Sequence, residues 1–286
     1  MRKAVIPAAG FGTRFLPFTK AVPKEMIPLI DKPVIQYVVE EAVAAGLTEI
    51  LIIVSSGKMA IQEHFNPEIA LEQRLEASGK TDLLQELTAI NRLANIHYVY
   101  QQELNGLGDA VRYAECFVGN EPFAVLLGDT VTSSDLMPVT AQLVNAYEKV
   151  NAPVVALEEV PWEKTSRYGV ISGQTGDGIL YKIDRFVEKP APAEAPSNLV
   201  IASRYVFTPE IFGYLKQTPR GKGREIQLTD AMILMIGNHP MYGLKVSGKR
   251  HDIGNKLDFI KSTVEFALKR PEFKDQIAEW LQSLKL

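Results

Sequence analysis

The chain has 286 residues, enough to bury a substantial core in one large domain or two modest ones. Its 46% hydrophobic and 23% charged residues are ordinary for a globular protein. A net charge of -3, with acids and bases interspersed, excludes bulk attraction to nucleic acid or to an anionic membrane, so an anionic ligand needs a local cluster of donors. The single cysteine, Cys116, excludes an internal disulfide framework and fits a reducing compartment; within AVRYAECFV it reads as a buried, inert thiol. The four histidines have no metal-ligand spacing. The N-terminal MRKAVIPAAG runs straight into a glycine loop, so it reads as a first strand rather than a signal peptide, and no apolar run approaches a membrane span. The expected location is the cytoplasm.

In chain order, a short apolar strand is predicted over 3–8. A helix follows over 33–45, with Pro33 in its first turn and Gly46 as its stop. Next come a buried strand at 49–55, helical stretches at 58–65 and 69–93, a strand at 96–101, a helix at 108–118 and a strand at 123–127. Strands alternating with helices imply a largely parallel sheet covered on both faces. The second half is β-rich at 153–160, 168–172, 179–187 and 199–207. Helices return at 227–236 and 256–269 with a strand at 241–247 between them, and an amphipathic helix is expected over 272–286. The expected fold is α/β: a Rossmann-like, mixed, mainly parallel central sheet with helices on both faces and a β-rich extension. In such a sheet ligands sit beyond the carboxyl ends of the parallel strands, which places the loops 9–25, 55–58, 102–108 and 128–134 on one rim.

The loop after the first strand reads Ala8-Ala9-Gly10-Phe11-Gly12-Thr13-Arg14, then Pro23-Lys24-Glu25-Met26. Two glycines two apart let backbone N–H groups approach phosphate oxygens. Arg14 adds a planar fork and Lys24 a point charge. Phe15 stands where a dinucleotide fingerprint needs its third glycine, and no GxxxxGK[ST] string occurs. Taken alone, the glycine pair is also compatible with a plain turn, and Lys24 with a solvated surface lysine. Gln101 reads equally as a polar rim residue, Asp129 as a turn cap and Glu188-Lys189-Pro190 as a surface turn.

The full strings are more specific. G-x-G-T-R-x-L-P followed by P-K-E-M-x-P resembles the sugar-1-phosphate nucleotidyltransferases, and PKEM and its surroundings are similar to the bacterial UTP–glucose-1-phosphate uridylyltransferases. The resemblance spans about residues 3–270. It implies one catalytic domain over 1–270, with a nucleotide-binding half (1–150), a sugar-binding half (151–255) and a C-terminal helix (271–286). It implies nucleotide contacts from Ala8, Ala9, Gly10, Gly12, Thr13 and Glu25. Q-x4-G-L-G places Gln101 as the reader of the base, with Gly106 and Gly108 letting backbone approach base or ribose. Asp129 and Asp252 correspond to the family's Mg²⁺ carboxylates; His251 stands where relatives often carry an aromatic residue. SRYGV and RFVEKP resemble the sugar-phosphate half, with Gly169 at a hydroxyl, Glu188 accepting from hydroxyls and Lys189 on the phosphate. The run EIQLTD offers Glu225, Thr229 and Asp230 as caps of the next helix or as sugar-facing groups.

The reaction so implied joins UTP and glucose 1-phosphate to give UDP-glucose and pyrophosphate, with Mg²⁺ as cofactor and Arg14, Lys24 and Lys189 as catalytic cations. The attacking phosphate oxygen is already an anion, so no general base is needed. The implied partners are these small molecules and, by analogy, a second copy of the chain in a homodimer or homotetramer. A thymidylyltransferase, a transferase for another hexose 1-phosphate and a catalytically silent paralogue are the competing readings. PKEM and the long helical insertion over 58–93 favour UTP. Loss of Arg14, Lys24, Asp129, Asp252 or Lys189 would favour the silent paralogue, and all five are present. A nicotinamide-dependent dehydrogenase is disfavoured because Ser55-Ser56-Gly57-Lys58 stands where it needs an acid.

Overall fold

The structure, a computed structural model, describes residues 1–284. β1 (Lys3–Pro7) opens the chain, and a loop of three short 3-10 turns leads to a small ribbon of β2 (Pro28–Leu29) and β3 (Lys32–Pro33). α1 (Val34–Ala44) follows, stopped at Gly46 by a left-handed φ of 82°. β4 (Glu49–Val54) leads to α2 (Met59–Phe65), α3 (Ile69–Ala77), α4 (Thr81–Ile90) and β5 (Asn95–Tyr100). The helix expected over 69–93 is thus two, because Gly79 adopts a φ of 67° and turns the chain between α3 and α4. The helix expected over 108–118 is likewise split into α5 (Leu107–Arg112) and α6 (Glu115–Val118).

β6 (Phe123–Leu126) and β7 (Thr130–Ser133) flank Asp129. α7 (Val139–Val150) fills a stretch where the sequence reading placed no element; it buries Val139, Leu143 and Val144 on one face. β8 (Val154–Glu159), β9 (Gly169–Thr175), β10 (Leu180–Glu188) and β11 (Leu199–Phe207) stand where the β-rich segments were expected. α8 (Ile211–Gln217), also unforeseen, precedes α9 (Leu228–Ile236), β12 (Tyr242–Lys245), β13 (Lys249–Asp252), α10 (Lys256–Lys269) and α11 (Pro271–Ser283). Of the tail helix expected over 272–286, residues 285 and 286 lie outside the described residues.

Nine strands form one mixed sheet in the order β5-β4-β1-β6-β11-β8-β12-β10-β9. β5, β4, β1 and β6 run parallel. The direction reverses at β6–β11, and beyond it only β12–β8 is parallel. Side-chain alternation splits the core in two. Val5, Leu51, Ile53, Phe123 and Val125 face α5, α8 and α9, whereas Ala4, Ile6, Ile50, Ile52 and Leu126 face α1, α2 and α7.

Two further features position the rim. β7 and β13 pair as an antiparallel ribbon in which Thr130 faces Asp252, and a small cluster of Ile27, Leu29, Val34, Val131 and Ile253 fastens this ribbon to the first loop. At the seam of the sheet, Arg204 is fully buried in β11. Its guanidinium holds Glu41 of α1 through Nη2–Oε2 at 2.6 Å and donates to the Thr130 carbonyl at 2.9 Å. Glu41 in turn accepts from Thr140 Oγ1 at 2.6 Å, so α1, α7, β7 and β11 share one polar knot.

Two expectations fail. Cys116 is exposed on α6, because the buried face of that short helix is taken by Val118. Glu225, Thr229 and Asp230 do not cap α9: its N-cap is Gln227 of the same run, without a side-chain cap bond among the described residues. Among the described residues, no helix is long and apolar enough to cross a membrane.

Candidate active site

The rim loops enclose two adjoining cavities. One, of about 460 Å³, is lined by Ala9, Gly10, Gln101, Leu104 and Gly106. The other, of about 480 Å³, is lined by Arg14, Gly169, Glu188, Lys189 and Thr229. Gly12, Thr13, Lys24, Leu107, Leu127, Asp129 and Glu225 line both, so they form the boundary. Each cavity falls in the size range of small-molecule sites.

In the first cavity, Gln101 follows the last residue of β5 and is anchored by its N–H to the Val54 carbonyl at 2.8 Å. Its side chain is buried, and Nε2 donates to Asp109 Oδ2 at 2.9 Å. Gly12 has a left-handed φ of 67°, and a β-carbon there would lie 3.0 Å from Lys24 Cβ, so only glycine lets the loop fold against Lys24. Three expected contacts are placed differently. Ala8 is buried beneath the loop, its N–H on the Ile53 carbonyl. Gly108 lines neither cavity; its N–H donates to the Ile226 carbonyl at 2.8 Å, and a β-carbon at Gly106 or Gly108 would meet that same oxygen at 2.8 Å. The two glycines thus admit the 225–227 segment, and Gly106 alone reaches the cavity. Glu25 borders the cavity, but its carboxylate is turned into a buried bond from Lys58 Nζ at 2.7 Å.

At the boundary, Lys24 Nζ lies 2.5 Å from Asp129 Oδ2. Burial pulls the Lys24 ammonium down and pushes the Asp129 carboxyl up, but their attraction, with Glu25 adding at Lys24 and Arg14 at Asp129, leaves Lys24 raised and Asp129 lowered. Gly128 just before Asp129 must be small, since a β-carbon would come within 3.1 Å of the Pro7 carbonyl. Asp252 arrives through the β7–β13 ribbon and accepts from the Gly254 N–H at 3.1 Å. A β-carbon on Gly254 would lie 3.1 Å from Asp252 Oδ1, 3.5 Å from Asp129 Oδ2 and 3.5 Å from Arg14 Nη1, so the two carboxylates and the guanidinium converge on one point. Burial, with the Asp129 charge adding, raises the Asp252 carboxyl. Arg14 makes no hydrogen bond or ion pair with any described side chain, which leaves its fork open to the second cavity.

Among the described residues, no cluster of three or more His, Cys, Asp or Glu side chains forms a metal cage. Two oxygen-only carboxylates facing one point suit a hard divalent cation that completes its shell with water and phosphate oxygens. His251, next to Asp252, is no ligand. It is buried between Ser133 Oγ (3.0 Å) and Ser262 Oγ (3.1 Å), and burial pushes it down to about 4.

In the second cavity, Glu188 Oε2 accepts from Thr229 Oγ1 at 2.7 Å, while Oε1 faces Lys189 Nζ at 2.8 Å. Gly169 pairs with Glu188 across β9–β10, and a β-carbon there would lie 3.1 Å from Ile201 and 3.4 Å from Glu188 Oε2. Lys189 holds a left-handed φ of 46°, an uncommon conformation for a side-chain-bearing residue, which turns the chain after β10. Thr229, one of the two roles foreseen for EIQLTD, faces this cavity rather than capping a helix. Sequence reading gave no role to Lys58, Asp109 or Arg204; the one available signal was a lysine in the rim loop 55–58 that follows β4.

The sequence pattern of the nucleotidyl transferase family matches residues 3–268. A protein of Staphylococcus haemolyticus (strain JCSC1435), named UTP–glucose-1-phosphate uridylyltransferase, is 50% identical over 284 residues, 99% of this chain and 98% of its own length. A structure of UDP-glucose pyrophosphorylase complexed with UDP-glucose superposes with a TM-score of 0.87 at 39% identity, covering 94% of this chain and 100% of its own. UTP-bound UGPase from Acinetobacter baumannii superposes with a TM-score of 0.92 at 35% identity, covering all of both chains. With its fold and nearly its whole length shared in this way, the chain belongs to the nucleotidyl transferase family.

Proposed function

We propose that this protein is a UTP–glucose-1-phosphate uridylyltransferase that makes UDP-glucose and pyrophosphate. The observation that carries the reading is the convergence of Arg14, Asp129 and Asp252 around Gly254, with Asp129 and Lys24 on the boundary between the two cavities. The names of the relatives supply the substrates. UTP occupies the cavity of Gly10, Gly12 and Gln101, and glucose 1-phosphate that of Gly169, Glu188 and Lys189. An oxygen of the sugar phosphate forms a bond to the α-phosphorus in line. The bond from that phosphorus to the bridging oxygen breaks, and its electron pair leaves with pyrophosphate. The nucleophile is an anion at neutral pH, so the residues orient substrates and neutralise charge rather than move a proton.

Arg14 and Lys24 stabilise the departing pyrophosphate, Lys189 holds the sugar phosphate and Glu188 accepts from sugar hydroxyls. Asp129 and Asp252 are the residues that would hold Mg²⁺, which when bound supplies positive charge to the phosphate oxygens. The catalytic domain (1–270) divides into a nucleotide half (1–150), which supplies all of the first cavity's lining but Glu225, and a sugar half (151–255), which supplies Gly169, Glu188, Lys189 and Thr229 to the second. A cytoplasmic setting is supported by the lone, unpaired Cys116. A homodimer or homotetramer is supported by the exposed Leu257, Ile260 and Trp280 of the C-terminal helices. The deciding experiment is pyrophosphate release from UTP, dTTP, ATP and GTP with glucose 1-phosphate and Mg²⁺. Release with UTP is expected; none with UTP overturns the reading.

A further inference from the structure

Asp109 is a buried acid that the reaction does not use. It lies in α5, behind Gln101 and outside the lining of both cavities. Its Oδ2 accepts from Gln101 Nε2 at 2.9 Å, and its Oδ1 lies 3.4 Å from Arg112 Nη1. A carboxylate offers only acceptors, whereas a glutamine amide can present either end. The partner therefore fixes which end of Gln101 faces which way: the NH₂ is drawn back to Asp109. Gln101 Oε1 accepts no hydrogen bond from any described residue and is not sealed from solvent, so it stands as an open acceptor on the nucleotide cavity.

An acceptor held in that orientation suits a base whose edge carries an N–H between two carbonyls. Uracil has that N–H at N3. Cytosine has a lone pair there, which would face the lone pairs of Oε1. We propose that Asp109 is a positioning residue that sets the selectivity of the site for uracil over cytosine by fixing the amide orientation of Gln101. The inference rests on the uridylyltransferase reading above.

Asp109→Asn gives the sharpest test. Arg112 donates toward Oδ1, so it retains the oxygen of the new amide and turns the new NH₂ toward Gln101. Gln101 then flips, presenting its own NH₂ to the cavity. The expected result is a fall of about tenfold or more in the ratio of kcat/KM for UTP over CTP, with CTP gaining as UTP loses. The same substitution in a Gln101→Met background is expected to leave the ratio unchanged, because the group Asp109 acts on is gone. Asp109→Ala, which frees the amide to rotate, lowers the ratio severalfold and serves if Asp109→Asn does not fold. An unaltered ratio in a folded variant, or an equal fall in the Gln101→Met background, overturns the inference while leaving the uridylyltransferase reading intact. Failure of the unmodified enzyme to use UTP overturns that reading, and this inference with it.

Discussion

Lys24 Nζ lies 2.5 Å from Asp129 Oδ2, so the cation assigned to the phosphates rests on a carboxylate assigned to the metal. An ammonium on Oδ2 opposes, by like charge, a divalent cation at the same carboxylate. UTP phosphates are expected to draw Lys24 from Asp129 when the nucleotide binds with a divalent ion. Lys24→Met therefore has effects of opposite sign. Turnover is expected to fall about 10²–10³-fold through lost charge stabilisation. Affinity of the free protein for Mn²⁺ is expected to rise, since the competing ammonium is gone. Steady-state kinetics and Mn²⁺ titration followed by electron paramagnetic resonance read the two effects separately. Unchanged or weaker Mn²⁺ binding would contradict the competition.

Arg14 makes no hydrogen bond or ion pair with any described side chain and acts on Asp129 and Asp252 only through its charge, so its removal is expected to act mainly on the transition state. Arg14→Ala should lower kcat about 10³-fold or more while leaving the thermal midpoint within experimental error. Near-normal turnover would remove Arg14 from the site.

Thr229 and Lys189 grip Glu188 from opposite sides, which separates two effects in the sugar cavity. Lys189→Ala should raise the KM for glucose 1-phosphate by about tenfold or more, since a charge-assisted contact contributes roughly 1.5–3 kcal/mol. Thr229→Val loosens Glu188 without removing it, and a rise of only severalfold is expected. Neither should alter the KM for UTP; a matching rise for UTP would place both residues elsewhere.

The Glu41–Arg204 pair is fully enclosed, and Glu41 lies below the usual glutamate range: burial raises it, but Arg204 more than reverses that. A carboxyl lowered in the folded state stabilises the fold above its unfolded value of about 4.3, and that stability is lost as pH falls through the folded value. Glu41→Gln should flatten the acid limb of a stability–pH profile. Glu41→Ala, which strands a buried guanidinium, should cost about 3–5 kcal/mol in chemical denaturation. An unaltered denaturation midpoint in Glu41→Ala would show that the pair contributes nothing.

The alternating strands and helices of the first half were legible because β1, β4 and β6 are short apolar runs bounded by glycine and polar turns. The rim was legible for the same reason, since ligand loops follow the ends of parallel strands. The β7–β13 ribbon was not legible. Thr130–Ser133 and Lys249–Asp252 carry no apolar alternation, and they pair because the Ile27, Val131 and Ile253 cluster holds them together. That pairing brings Asp129 to Asp252, which the resemblance implied but no local pattern could. Gly106 and Gly108 were found for a partly different reason than the true one, since a glycine signal marks close approach without naming what approaches. Arg204 was invisible because a lone arginine in an apolar strand reads as surface-facing until its partner on a distant helix is known.

The reversal of the sheet at β6 also bears on synthesis. β6 (FAVL) is buried along its whole length, yet its second neighbour, β11, lies about 80 residues further along the chain. At roughly 5–20 residues per second, the ribosome delivers that neighbour on the order of 4–16 s after β6 has emerged. For that interval the nascent chain carries an apolar strand edge with unpaired N–H and C=O groups. Translation speed through codons 127–207, and any holdase that shields the growing chain over that window, therefore bear directly on the yield of folded enzyme.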